Sequence, residues 1–262
     1  MSSQGVGRAP SMADETARIV RTWIQRRELV PEELYSVSTV AERLGISRSP
    51  AREALLALAE AGLVQFVKNR GFRVLVPGPR EVVEIVHLRL ALEPAAAAAA
   101  ARGVEGARAV LPGRLRDMQR AALKGDEGGF SAHDRALHEL IMELAGNARA
   151  ARVVARLRES LELLGASTAG RTRSLFDIYH EHVPIVDRMC LGDASGARSA
   201  MERHLERTGL LLMRQASGVG DHSGVEAWRE LIGEFPSELS AQLPVSGQES
   251  GDLGGGVDGQ AG

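Results

Sequence analysis

One stretch, residues 36–71, constrains this chain more than any other: SVSTVAERLGISRSPAREALLALAEAGLVQFVKNRG. Ser36 is a good helix N-cap, and Val37, Val40, Ala41 and Leu44 then fall on one helical face. Gly45 can take the left-handed turn that other residues resist. Ser47 caps a longer helix, 48–61, with Pro50 in its first turn and Ala54, Leu55 and Leu58 facing inward. Gly62 ends it. Two short apolar strands, 63–67 and 72–76, follow, joined by a basic tip of Lys68, Asn69, Arg70 and Gly71. Two helices about a tight turn, then a hairpin, make a winged helix-turn-helix, and this layout makes double-stranded DNA the leading partner.

In such a unit the N-terminal end of the second helix enters the major groove, here with Ser47, Arg48, Ser49 and Arg52. Hydroxyls and a helix N-terminus suit phosphates, and an arginine can bind guanine with two hydrogen bonds worth about 1–3 kcal/mol of discrimination. The competing reading is an ordinary helical hairpin with solvated arginines. Caps, turn and wing occurring together in order favour DNA.

At 262 residues the chain has room for one large domain or two modest ones. Aromatic residues make up only 3%, so its cores must be built from aliphatic side chains, which leans towards helix. No apolar run approaches the roughly 18 residues that span a bilayer, and the N-terminus lacks the apolar core of a secretion signal. A single cysteine, Cys190, excludes a disulfide framework and a cysteine-based zinc site. The expected setting is the cytoplasm. The net charge of −2 is unevenly spread, with residues 1–76 at net +3, the middle at +2 and residues 217–262 at −7.

The order along the chain follows. Residues 1–10 read as disordered. Residues 11–76 form the DNA-binding unit, whose first helix, 13–29, carries Ile19, Val20, Trp23 and Ile24 on one face. Pro77, Gly78 and Pro79 mark a hinge, 77–80. Residues 81–216 read as an all-α bundle of six or seven helices, including an alanine run and helices at 111–124, 129–144, 148–164, 175–191 and 194–215. Residues 217–262 read as an acidic, Gly- and Ser-rich tail, disordered apart from a turn or two of helix at 225–232. The fold class is therefore mainly α, an N-terminal winged helix-turn-helix followed by a helical bundle.

Inside the bundle, Asp134 and His138 stand one helical turn apart, His182 lies on a later helix and His204 on the last. Imidazoles and a carboxylate suit a divalent metal, zinc first, with nickel, manganese or iron as alternatives. Spacing alone leaves open that these are unrelated surface or hydrogen-bonded residues. Helical phase turns His133 and His180 away from the set.

Two stretches carry a family resemblance. ERLGISRSPAREALLALAEAGLV followed by NRGFRV resembles the DNA-binding domain of the GntR family of bacterial transcription regulators. The resemblance implies DNA contacts from Ser47, Arg48, Ser49 and Arg52, with Gly71 of the wing reaching the minor groove. The chain departs from the family pattern at Ser38, where arginine is common, and at Pro31-Glu32, where Pro-Gly is usual. DRALHELIMELAGN and EHVPIVDRMCLGDASGARSAMERHL look like the FCD ligand-binding domain of the FadR subfamily. That likeness implies the metal ligands Asp134, His138, His182 and His204, and argues against a fatty-acyl effector. HLRLALE is similar to a family stretch whose arginine faces the ligand cavity, which makes Arg89 an effector residue or, equally, half of a salt bridge. Asn147 reads as a helix C-cap first and a pocket residue second.

The combined expectation is a homodimeric regulator, a repressor, that binds a palindromic operator. A small carboxylic acid would complete an open metal position, move the bundle against the hinge and alter the spacing of the recognition helices. Two alternatives stand beside it: a metal-dependent enzyme fused to a DNA-binding module, and an architectural DNA-binding dimer. No further carboxylate or histidine is placed as a general base, which disfavours the enzyme.

Overall fold

The computed structural model describes residues 11–26, 28–75, 77–163, 173–218 and 220–234. The first ten residues, the glycine-bounded break at 165–170 and the tail beyond 234 lie outside them.

The N-terminal unit is built from α1 (Met12–Gln25), β1 (Leu34–Tyr35), α2 (Val37–Leu44), α3 (Arg48–Glu60), β2 (Val64–Val67) and β3 (Gly71–Val74). Ser11 and Asp14 form a reciprocal capping box that starts α1. The helix stops at Gln25, short of the expected residue 29, yet Leu29 is still buried beneath it. Ser36 caps α2 through the Thr39 N–H, and Gly45 ends it in the left-handed region at φ 65°. Val20, Trp23 and Ile24 of α1 close over Ala54, Leu55 and Leu58 of α3, with Phe72 of β3 beneath. Burying such side chains contributes about 1.5–3 kcal/mol each.

The sheet has one strand more than the hairpin expected from sequence. Its order is β1-β3-β2, all antiparallel, with Leu34 opposite Arg73 and Phe66 opposite Phe72. β1 is only two residues long, and nothing in its own sequence separates it from a loop. Its closeness decides the base of the wing. Gly71 sits at φ 119°, and a Cβ there would lie 2.0 Å from the Tyr35 carbonyl oxygen, so only glycine fits.

The C-terminal unit is seven helices: α4 (Pro79–Arg102), α5 (Val104–Lys124), α6 (Glu127–Leu144), α7 (Ala148–Leu163), α8 (Leu175–Leu191), α9 (Ala194–Ala216) and α10 (Ser223–Leu231). α4 already begins at Pro79, which shortens the expected 77–80 hinge, and α5 begins seven residues before the expected 111. α4 runs through the middle, packed along α9. Small residues allow that approach: Ala97, Ala100 and Ala101 are buried, and a Cβ at Gly209 would meet Val86 at 2.6 Å. Pro184 lies inside an unbroken α8 and does not start it.

The helix expected at 225–232 is present at 223–231, and it adds to the bundle beyond residue 216. α10 is a docked helix whose Trp228 and Ala227 are fully buried against Val82 and Val83 of α4 and Met213 of α9. Gly224 lies against Pro79 and Met213, and Arg80 pairs with Glu230 at 3.1 Å. One buried indole outweighs the polar composition of the segment around it.

Candidate metal centre and nucleic-acid interface

His138 of α6, His182 of α8 and His204 of α9 are buried and bring one ligand nitrogen each within 4.8 Å of one another. The rings of His182 and His204 have centroids 4.2 Å apart. Asp134, one turn before His138, places Oδ1 3.0 Å from His182 Nε2. The three histidines thus converge between α6, α8 and α9, while Asp134 stands outside that three-residue group and reaches it through His182.

The outer nitrogens decide the tautomers. His138 Nδ1 meets Glu93 Oε2 at 2.5 Å, His182 Nδ1 meets the Ile178 carbonyl at 2.8 Å and His204 Nδ1 meets Glu181 Oε2 at 3.1 Å. Each partner is an oxygen that only accepts when ionised or when it is a carbonyl, so each Nδ1 carries the proton. Each Nε2 is then left with a lone pair. His138 Nε2 and His182 Nε2 stand 3.2 Å apart, and His182 Nε2 also faces the Asp134 carboxylate. Acceptors facing acceptors in a buried site are reconciled by a cation, a proton or a metal ion. Outer oxygens that fix the imidazole tautomer are the usual support of metal-ligating histidines. The residues present therefore fit a divalent metal.

The charge states agree with that fit. Burial, reinforced by the Arg158 guanidinium, depresses His138 to about 4 against the pull of Glu93. Burial and then the neighbouring imidazoles hold His204 well below the usual histidine range. Burial alone would raise the Asp134 carboxyl, but Arg158 outweighs it and holds the group well below the usual carboxylate range. At neutral pH His138 and His204 are neutral imidazoles and Asp134 is a carboxylate, the form in which these groups ligate metals.

Around the centre runs a ring of ion pairs that the sequence reading missed in part. Arg89 Nε binds Glu93 Oε1 at 2.5 Å, Arg158 of α7 binds Asp134 Oδ2, and Arg173 binds Glu181 at 2.5 Å. For Arg89 the salt-bridge reading is realised, at the i, i+4 spacing visible in HLRLALE, while its buried Nη2 has no hydrogen-bond partner. Glu181 directly precedes His182, and no local pattern marks Arg158. Asn147 is corrected. Its side chain accepts from the Ala150 N–H at 3.1 Å, so it starts α7; Gly146, at φ 76°, ends α6. Exposed and used as a cap, Asn147 does not line the buried centre. His180 is exposed and His133 half-buried, neither in the cluster.

At the other end of the molecule, Ser47, Arg48, Ser49 and Arg52 are all exposed on the first turns of α3. Ser47 holds the N-cap position, but its side chain makes no capping hydrogen bond, contrary to expectation. The hydroxyl therefore stays available at the helix N-terminus, where backbone N–H groups attract anions. Arg52 lies with its guanidinium 5.4 Å from the Phe66 ring centroid, which ties the recognition helix to the wing. Lys68, Asn69 and Arg70 form an exposed tip, with Asn69 at φ 57°. Gly71 is required by the close approach of Tyr35.

Residues 12–74 match the family described as "Bacterial regulatory proteins, gntR family", and residues 84–207 match the FCD domain. A relative from Streptomyces ambofaciens, "Uncharacterized HTH-type transcriptional regulator in unstable DNA locus", is 31% identical over 71% of this chain and 78% of its own length. The chain belongs to the GntR family of bacterial transcription regulators. Another member, the "Probable D-xylose utilization operon transcriptional repressor" of Paenarthrobacter nicotinovorans, is 32% identical over 63% of this chain and 73% of its own length. The solved structure of E. coli McbR/YncC shares the fold, with a TM-score of 0.67 at 22% identity, over 79% of this chain and 99% of that one. The pairing of a GntR reader with an FCD domain is consistent with the FadR-type subfamily. The protein is a DNA-binding transcription regulator, not an enzyme, and its FCD domain holds a three-histidine cluster able to take a metal. No helix of the described residues is long and apolar enough to cross a membrane.

Proposed function

We propose that this regulator is a cytoplasmic homodimeric repressor of a palindromic operator, released by a small carboxylic acid that binds beside a divalent cation in the FCD bundle. The observation that carries this reading is the convergence of three Nε2 lone pairs and the Asp134 carboxylate, with every outer nitrogen held by an oxygen. Asp134, His138, His182 and His204 would hold the ion. Their nitrogen-rich set suits zinc, and also nickel or iron, better than manganese. The ion would supply a Lewis-acidic seat for the acid's carboxylate. Arg89, with Nη2 buried and unpartnered, offers that carboxylate a charge-assisted donor. The printed name of the P. nicotinovorans relative supports the repressor sign.

At the DNA end, Arg48 and Arg52 are assigned to base edges, Ser47 and Ser49 to phosphates and the wing tip above Gly71 to the minor groove. Residues 11–76 act as reader and 81–216 as sensor and dimerisation unit, joined through the short link before α4. An effector that prefers one bundle arrangement changes the spacing of two recognition helices, and operator affinity with it.

The test is metal analysis together with a thermal-shift screen of small carboxylic acids, with and without chelator. The parent protein should hold one divalent ion per chain, and the effective acid should stabilise it only when that ion is present. His182→Ala/His204→Ala should carry none. Full occupancy in the double variant would remove the centre from consideration.

A further inference from the structure

Among the buried arginines and the acids they bind, the charges cancel. Glu93, Asp134 and Glu181 carry three negative charges, and Arg89, Arg158 and Arg173, all buried, carry three positive ones, while the exposed Arg207 adds a further positive charge 3.2 Å from Glu181. Histidines neutral at Nε2 add nothing. A divalent ion placed there leaves two positive charges uncompensated in a poorly solvated site, which is costly. Of the three arginines, Arg89 and Arg173 bind the acids behind His138 and His204. Arg158 alone of the three binds a candidate ligand, Asp134.

The next residue on α7 points elsewhere. Successive helical residues are turned by roughly 100°, and Glu159 reaches out of the bundle to Arg21 of α1, at 2.5 Å. One helix thus grips the centre with Arg158 and the DNA-binding unit with Glu159.

We propose that Arg158 is an internal counter-cation that holds the metal-free state, and that its release from Asp134 is transmitted through Glu159 and Arg21 to the DNA-binding unit. This rests on the metal reading above. In the metal-free state Arg158 neutralises Asp134 and fixes α7 against α6. For the carboxylate to bind the ion through both oxygens, Arg158 must withdraw from Oδ2. α7 then shifts, and the Glu159–Arg21 pair loosens its hold on α1.

The experiment titrates metal-stripped parent, Arg158→Met and Arg158→Lys with zinc against a chromophoric chelator, with circular dichroism confirming the folds. Arg158→Met should bind zinc about tenfold tighter or more, and Arg158→Lys close to the parent. Should the Met variant not fold, Arg158→Gln takes its place. Unchanged affinity overturns the proposal, as does a fall, the mark of an arginine that merely orients Asp134. Zinc uptake by none of the proteins overturns the centre itself, so the two failures read differently. Hydrogen–deuterium exchange of residues 12–25 tests the relay. Zinc should raise it in the parent. Glu159→Gln should raise it without zinc and abolish the response while zinc still binds, no more weakly than in the parent; an α1 indifferent to zinc in the parent overturns the relay.

Discussion

Asp134 divides its two oxygens, Oδ1 standing 3.0 Å from His182 Nε2 while Oδ2 is held by Arg158. One carboxylate thereby links the histidine cluster to α7, the helix that also touches the DNA-binding unit. Sensor and reader meet through side chains as well as through the link between them.

Buried, neutral His138 and His204 make stability pH-dependent. The unfolded chain takes up a proton near pH 6.5, whereas folded His138 refuses one until about 4. The folded state is therefore undisturbed above 6.5 and loses stability as pH falls from 6.5 to 4. From His138 alone the loss reaches about 2 kcal/mol by pH 5, and His204 adds to it in the same direction. Urea midpoints of the metal-free protein at pH 7.5 and 5.0 measure this. An equal midpoint at both would mean that His138 is charged in the fold.

Arg52 is exposed and braced over Phe66, so its removal should cost binding and not folding. Arg52→Ala should weaken operator affinity by about 1–3 kcal/mol, roughly five- to 150-fold, with sedimentation unchanged from the parent. Duplexes selected from a random pool supply the operator. Affinity equal to the parent's would withdraw the assigned contact.

Gly71→Ala places a methyl group 2.0 Å from the Tyr35 carbonyl at a φ of 119°. The expected cost is about 3 kcal/mol or more in the N-terminal unit, from strain and from parting β1 and β3. DNA binding is lost through the fold of the wing. Retained thermal stability together with lost DNA binding would instead point to a direct contact at this position.

Trp228→Ala should destabilise the bundle by about 3–5 kcal/mol, since the whole indole is buried on α4. Truncation after residue 216 should act alike. A melting temperature within a degree of the parent's would mean that α10 does not dock in solution.

Much of this was legible in the residues. The caps Ser36 and Ser47, the turn at Gly45 and the wing drew α2, α3 and the hairpin to within a residue or two, because caps and glycines act over a single turn. The i, i+4 pair Asp134 and His138 was visible for the same reason. Arg158 was not, because its partner lies on another helix and its own neighbours carry no signal. Asn147 was misread because a cap residue between two helices can belong to either, and only its hydrogen bond to Ala150 decides.

The sequence by itself determined most of the helices, apart from where α1 ends and α5 begins, and the residue types of the candidate ligands, since these rest on short-range periodicity, capping and side-chain type. Only the tertiary structure decided that Gly71 must be glycine, that Trp228 turns an acidic tail into a docked helix, and that Glu93, Glu181 and Arg158 surround the histidines. Those are contacts between residues far apart in the chain, and burial, which makes them strong, is not a property of any local stretch.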